Sequence, residues 1–181
     1  MPQQPQMTPE QFAELEPEKV LLTMRIIAGA LMMGVIIFGL IVAMQFNGNQ
    51  PNPGQPQVPQ RGIPDLLTYI GAGMALLMIL LRFTIPPLVA RTLIRQIRRN
   101  ESTGTRETLG RLLMAAQTKM IIEYAMLEGA AFFNLIAVMT EHSMISIGVV
   151  IVLLSLMLLN FPTMNKLVNW IEQQSKMLIA D

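Results

Sequence analysis

The sequence predicts an all-α membrane protein with four transmembrane helices, and three observations support this fold class. First, 52% of the 181 residues are hydrophobic and 14% are charged, with a mean hydropathy of +0.46. Second, four apolar stretches each approach the roughly 20 helical residues that cross a hydrocarbon core of about 30 Å. Third, arginines concentrate in one connection, which is a topology signal. The stretches are 26–46, 66–89, 120–139 and 145–161.

Residues 1–19 form the first element, an N-terminal tail rich in Pro, Gln and Glu. It lacks the basic region and the small-residue cleavage site of a secretory signal. We therefore expect an uncleaved anchor, with residues 20–181 forming a single transmembrane domain. The predicted spans cover about 20–46, 64–86, 119–140 and 143–162.

The connection at 47–63 carries Pro, Gly, Asn and Gln and almost no apolar side chain. Such a segment cannot bury a core, so we expect a flexible linker on the outer side of the membrane. Arg61 is the only Lys or Arg on that side in this topology.

The connection at 88–118 is basic and predicts the sidedness of the whole protein. By the positive-inside rule, this loop and both termini of a multi-pass protein are expected on the cytoplasmic side. Its beginning reads as an amphipathic helix at the inner leaflet, followed by a hinge at Gly104. Nucleic-acid binding is disfavoured because Glu101 and Glu107 interrupt the positive charge. The arginines expected at anionic lipid headgroups are Arg91, Arg95, Arg98 and Arg99.

The C-terminal segment 163–178 is predicted to be a second cytoplasmic interfacial helix. Its indole, Trp170, is a side chain typical of the headgroup level, and Lys166 and Lys176 suit anionic lipid.

An internal repeat connects the two halves. Residues 30–44 read ALMMGVIIFGLIVAM and residues 125–139 read AMLEGAAFFNLIAVM, with six identical positions. The following spans both end in Phe, a proline break and an amphipathic tail, at 80–97 and 158–174. We interpret this pattern as two tandem helical hairpins in parallel orientation, the alternative being chance similarity of Leu-, Ile- and Ala-rich strings.

Two carboxylates in the third span, Glu123 and Glu128, are the sharpest candidate sites because a charge in hydrocarbon is costly without a partner. At about 1.5 Å per residue from Lys119, they lie roughly 6 Å and 13 Å inside the membrane. We expect Glu123 to pair with Arg82 or Arg25, which would set helix register.

Glu128 lies too deep for an ordinary ion pair with those arginines, so two readings stay open. In one, Asn134 and Tyr124 form hydrogen bonds with the Glu128 carboxyl, which thereby joins helices. In the other, the carboxyl carries protons. Proton transfer between helices requires a protonatable carboxyl and a surface that another helix can approach. Gly129, next to Glu128, offers such a surface.

Small residues recur at four-residue spacing, which lets helix backbones approach closely in a bilayer. Asn134 and Asn160 are expected to add interhelical hydrogen bonds. The helix-packing pairs are Ala30 with Gly34, Gly71 with Ala75, and Ala125 with Gly129.

Other chemistry is disfavoured. The chain has no Cys, no Gly-rich phosphate loop and no recognised catalytic motif, so no enzyme, cofactor or metal site is expected. Met74 and Met78 share a helix face, yet methionine more often fills gaps than binds copper. Glu141 and His142 read as a solvated turn.

The stretch AMLEGAAFFNLIAVM followed by LLNFPTMNKL resembles uncharacterised small four-span bacterial inner-membrane proteins over 119–171. It is also similar to the carboxylate helix of ATP synthase c subunits, a resemblance that implies Glu128 as the proton-carrying residue. The carboxylate here lies in the first helix of its hairpin, whereas the c-subunit pattern has it in the second.

Together these patterns predict a non-enzymatic structural or accessory membrane component that self-associates or joins a larger complex. The alternative is a proton or ion pathway using Glu128, with Glu123, Arg82 and Asn134 as pairing groups.

Overall fold

A computed structural model describes residues 17–48, 66–99 and 105–180, and confirms the all-α prediction. No strand occurs within these ranges. The helices are α1 (Pro17–Gly48), α2 (Leu66–Leu81), α3 (Ile85–Arg99), α4 (Thr105–Glu141), α5 (Met144–Leu159) and α6 (Met164–Ala180). The outer linker was predicted at 47–63, but Asn47 and Gly48 still belong to α1. Residues 49–63 and the predicted hinge at Gly104 lie outside the described residues.

Three helical stretches are long and apolar enough to cross a bilayer: Pro17–Gln45, Leu66–Gln96 and Leu109–Glu141. A fourth reaches this length only when Met144–Leu159 and Met164–Gln174 are counted together across a bend. The described ranges therefore contain three to four candidate spans, as expected of a membrane protein.

The helix surfaces support the same conclusion, because they expose large apolar side chains. Leu40 and Leu76 are each 60% exposed and Ile151 is 59% exposed, on three different helices. Water-soluble monomers rarely expose contiguous apolar surface on this scale, whereas lipid covers it without cost.

Short breaks separate α2 from α3 and α5 from α6. The first break covers residues 82–84, and Pro86 and Pro87 follow in the opening turn of α3. The second covers residues 160–163 and contains Pro162. Proline suits these places because the first turn of a helix needs no amide hydrogen there. An apolar helix, a short break and a second helix therefore follow one another twice in the described part of the chain.

The chain divides into two compact units, which we call the charged unit and the apolar unit. The charged unit comprises Met1–Ala28, Phe83–Glu123 and Phe161–Asp181, and the apolar unit comprises Gly29–Arg82 and Tyr124–Asn160. In the apolar unit, α2 packs against α5. Among the side chains that the structure describes there, the Asp, Glu, Lys and Arg residues are only Arg82, Glu128 and Glu141.

The second half of α4 contacts three other helices of the apolar unit. Phe132 packs edge-on against Phe38 of α1, with ring centroids 5.5 Å apart. Its inward positions include three small residues, Ala130, Ala131 and Ala137, which are fully buried. Small side chains permit close helix packing, which is how a polar residue on α4 reaches a neighbouring backbone.

Candidate functional site

Glu128 lies half-buried on α4, beside Gly34 of α1. A Cβ atom placed on Gly34 would lie 3.4 Å from Glu128 Oε1 and 3.7 Å from the Phe132 ring. We call the surface formed by Gly34, Glu128 and Phe132 the α1–α4 groove. Across the described parts of the chain, no hydrogen bond or ion pair reaches the Glu128 carboxyl. The group that most needs a partner in hydrocarbon has none within these residues.

The two candidate donors for Glu128 bond to backbone carbonyls of other helices. The buried Tyr124 hydroxyl donates to the Met157 carbonyl oxygen of α5 over 2.7 Å. Asn134 Nδ2 donates to the Gly71 carbonyl oxygen of α2 over 3.0 Å, and to the Ala130 carbonyl oxygen over 2.9 Å. These bonds hold α4 against α5 and α2, as the sequence analysis expected of Asn134.

The contact between Asn134 and Gly71 is unusually close. A Cβ atom on Gly71 would lie only 2.8 Å from Asn134 Oδ1 and 3.3 Å from the Phe133 ring. Asn134 is fully buried, and its Oδ1 has no conventional donor within the described residues. Any side chain at this position would collide with the Asn134 amide, so glycine is required here for shape.

Asn160 behaves differently from the prediction of an interhelical bond. Its Nδ2 donates over 2.6 Å to the Leu156 carbonyl oxygen, which lies one turn earlier in the same chain segment. Its backbone amide also donates to this carbonyl, so the residue caps the end of α5. The bond terminates a helix and joins no second one.

Glu141 has a role that the sequence analysis missed. Its Oε1 accepts from the Leu67 amide, and its Oε2 accepts from the Thr68 amide and the Thr68 hydroxyl, each over 2.7 Å. A carboxylate at the end of α4 therefore caps the start of α2, where the first amides lack intrahelical acceptors. Ser146 Oγ donates to Thr68 Oγ1 over 3.3 Å, which brings α5 into the network.

Short-range patterns could not reveal this cap, because its partners are more than 70 positions apart in sequence. Glu141 ends α4 just before His142, whose backbone is left-handed with φ 54°. This local geometry marks the end of a helix and does not identify a partner for the carboxylate.

Glu123 forms an ion pair within its own helix. Its Oε1 lies 3.5 Å from Lys119 Nζ, one turn earlier on α4. Arg25 Nε donates over 3.3 Å to the Pro162 carbonyl oxygen in the break before α6. Arg82 lies half-buried in the turn after α2. The expected pairing of Glu123 with Arg82 or Arg25 stays a prediction.

Apart from Gly34, which packs against Glu128, the small residues of the three pairs fall into two groups. Gly71 and Ala75 are buried inside the apolar unit. Ala30, Ala125 and Gly129 are not buried, and a Cβ atom on Gly129 would have nothing within 4 Å. The second group therefore leaves room for another helix to approach.

The candidate headgroup residues belong to α3 and α6. Arg91 and Arg95 are exposed, and Leu88 beside them is 57% exposed. The side chains of Arg98 and Arg99 lie outside the described part. Trp170 is half-buried with Lys119 Nζ 6.0 Å from its ring centroid, a cation–π contact.

The arrangement holds no group of three or more His, Asp or Glu residues suited to a metal ion within the described residues. Comparison with known proteins finds no matching family model, no similar curated protein and no similar solved structure.

Proposed function

We propose that this protein is a non-enzymatic structural or accessory component of the bacterial inner membrane that self-associates or joins a larger membrane complex. The observation that supports this proposal is the α1–α4 groove. It presents a half-buried carboxyl that no described residue satisfies, next to Gly129, which is exposed and has nothing within 4 Å of an added Cβ.

The Glu128 carboxyl needs hydrogen-bond partners. A carboxyl within the apolar part of a bilayer costs several kcal/mol unless it finds hydrogen-bond partners. Inside the apolar unit, Asn134 and Tyr124 already bond to backbone carbonyls. A donor or acceptor from another chain removes the cost at Glu128, and the open surface around Gly129 lets that chain come close.

Mass measurement in mild detergent tests this proposal. Light scattering or native mass spectrometry should find the wild-type chain in an assembly larger than a monomer. Glu128→Leu should reduce the assembled fraction, while Glu123→Gln, a charge-neutralising control on the same helix, should not. A monomeric wild-type chain with no co-purifying partner would contradict the proposal.

A proton or ion pathway is the second candidate function, favoured by the same lack of an internal partner for Glu128. Asn134, Arg82 and Glu123 would then act as pairing groups along the route. Purified protein in liposomes should show pH-driven flux that Glu128→Gln abolishes. Equal flux in both proteins, or none in either, would remove this candidate.

The proposed topology has four spans in two parallel hairpins, with both termini and the helices α3 and α6 cytoplasmic. The positive charge of α3 supports this sidedness, and anionic inner-leaflet lipids are the proposed partners of Arg91, Arg95, Arg98, Arg99 and Trp170. Because the chain has no Cys, single cysteines at 55 and 102 can report sidedness by labelling in intact cells. Labelling at 55 alone is expected.

A further inference from the structure

We propose that a second copy of this chain places its α5 in the α1–α4 groove, and that its Ser155 hydroxyl is the hydrogen-bond partner of Glu128. This inference rests on the proposed self-association and names the residue that the second copy contributes. Three properties of the apolar unit carry it: the unsatisfied carboxyl, the outward face of α5 and the depth of the two groups.

The outward face of α5 is suited to enter a shallow groove. Gly148 is exposed with nothing within 4 Å of an added Cβ, and Ile151 and Val152 are 59% and 53% exposed. Ser155 lies on this face and is also exposed. The face is therefore apolar, narrow at Gly148 and polar at one point.

Glu128 and Ser155 lie at matching depth. Measured from the turn at 142–143, where α4 ends and α5 begins, a rise of about 1.5 Å per residue puts Glu128 roughly 20 Å away and Ser155 roughly 17 Å away. Copies related by an axis along the membrane normal keep that depth. The two groups then meet within about one side-chain length.

Other exposed hydroxyls lie at the wrong depth. In the apolar unit, Tyr69 and Thr140 lie within about one turn of the helix ends next to the 142–143 turn. The remaining exposed hydroxyls belong to the charged unit: Thr23, Thr84, Thr92, Thr118 and Thr163. Of the exposed hydroxyls that the structure describes, Ser155 is the one that matches Glu128.

The hydrogen bonding is complementary. Ser155 Oγ donates its only hydrogen to the Ile151 carbonyl oxygen over 2.8 Å, so its lone pairs remain to accept. A neutral Glu128 carboxyl has one O–H to donate. The bond from Glu128 to Ser155 satisfies both groups without placing a charge in the bilayer.

Disulfide cross-linking tests this contact, since the native chain contains no Cys. Two differently tagged copies, one carrying Glu128→Cys and one Ser155→Cys, are co-expressed and oxidised in native membranes. A disulfide between the two tags can form only between copies. We expect the mixed dimer to exceed severalfold that from a control pair, Leu76→Cys with Ser155→Cys. Leu76 is 60% exposed, and it lies roughly 15 Å from the start of α2.

The outcomes separate this inference from the proposed function. Mixed dimers no more abundant than in the control pair would overturn the Ser155 contact. If the wild-type chain is nevertheless larger than a monomer in mild detergent, self-association stands and uses another surface. If it is monomeric as well, both proposals fail.

Discussion

The charged unit and the apolar unit differ in how deeply their polar groups are buried, since the buried polar side chains that the structure describes lie in the apolar unit. In the charged unit, Lys119 pairs with Glu123 one turn away, and Lys166 Nζ lies 3.4 Å from the Phe161 carbonyl oxygen five residues earlier. In the apolar unit, Asn134 reaches Gly71 on another helix, as Tyr124 reaches α5. Local bonds occur in both units, as Asn160 shows in the apolar one, but the buried bonds between helices that the structure describes belong to the apolar unit.

The difference follows from the solvent that each contact replaces. The side chains of Lys119 and Glu123 keep 28% and 18% of their exposure, so this pair within one helix still exchanges water for a partner and contributes about 0–1 kcal/mol. A buried donor that loses its acceptor has no water to replace it and costs about 1–3 kcal/mol. Substitutions should therefore destabilise the apolar unit more than the charged unit.

The largest expected effect is at the contact of Gly71 with Asn134. Gly71→Val adds side-chain atoms where a single Cβ would already lie 2.8 Å from Oδ1, and we expect a loss of about 3 kcal/mol from overpacking. Thermal unfolding in detergent measures it. Gly73→Val is the matched control, because Gly73 is exposed on the same helix with nothing within 4 Å. Equal losses at the two positions would contradict the packing described.

Removing the side-chain amide of Asn134 should cause the next largest loss of stability. Asn134→Ala deletes the bond to the Gly71 carbonyl and leaves a small cavity, and we expect a loss of about 1–2 kcal/mol. Asn160→Ala removes a bond within one chain segment and should cost about 0.5 kcal/mol. Unfolding midpoints of both variants in one detergent test the ranking. A larger loss of stability at Asn160 would contradict the conclusion that Asn134 joins two helices whereas Asn160 only caps α5.

The cap on α2 should rank third. Thr68→Val removes the hydroxyl that donates to Glu141 and accepts from Ser146, with an expected loss of about 1 kcal/mol. Glu141→Ala should also lower the unfolding midpoint, and the double variant should lose less than the two single variants combined. Additive losses would indicate that the two side chains act independently.

The ion pair of the charged unit should matter least to stability. Glu123→Gln removes the charge that faces Lys119, and we expect a loss of about 0.3–0.5 kcal/mol. The same unfolding assay, repeated at high salt, should show the difference shrink. A loss as large as that of Asn134→Ala would erase the contrast between the units.

For α3 we expect a change in lipid binding without a change in stability. Arg91→Gln with Arg95→Gln should reduce the anionic lipid retained in native mass spectrometry severalfold, since both side chains are exposed. The charge-keeping variant, Arg91→Lys with Arg95→Lys, is the control and should retain most of the lipid. Equal retention in both variants would remove α3 as a headgroup site.

The fold was predictable where local physics decides it. Apolar length predicted the helices, and the prolines at 86 and 162 predicted where second helices follow. The packing of Gly71 and Ala75 was also predictable, because small residues at four-residue spacing indicate close approach. The pattern could not tell which small-residue pairs face inward.

The repeat shows the limit of such inference. Gly34 and Gly129 occupy equivalent positions in the aligned stretches, yet Gly34 lies against Glu128 and Gly129 is open. Equal sequence patterns predict equal helices and leave their surroundings undetermined. The surroundings depend on which helix faces which, a property of the assembled chain.

The amino-acid sequence by itself determined the helical class, the apolar lengths and the asymmetry of charge, because each depends on residues close together in the chain. Only the tertiary structure decided that Glu141 caps α2, that Asn134 binds at Gly71 and that Glu128 has no partner within the described residues. Those outcomes require distant residues to meet, and hydrophobicity, which has no direction, does not select the pairs.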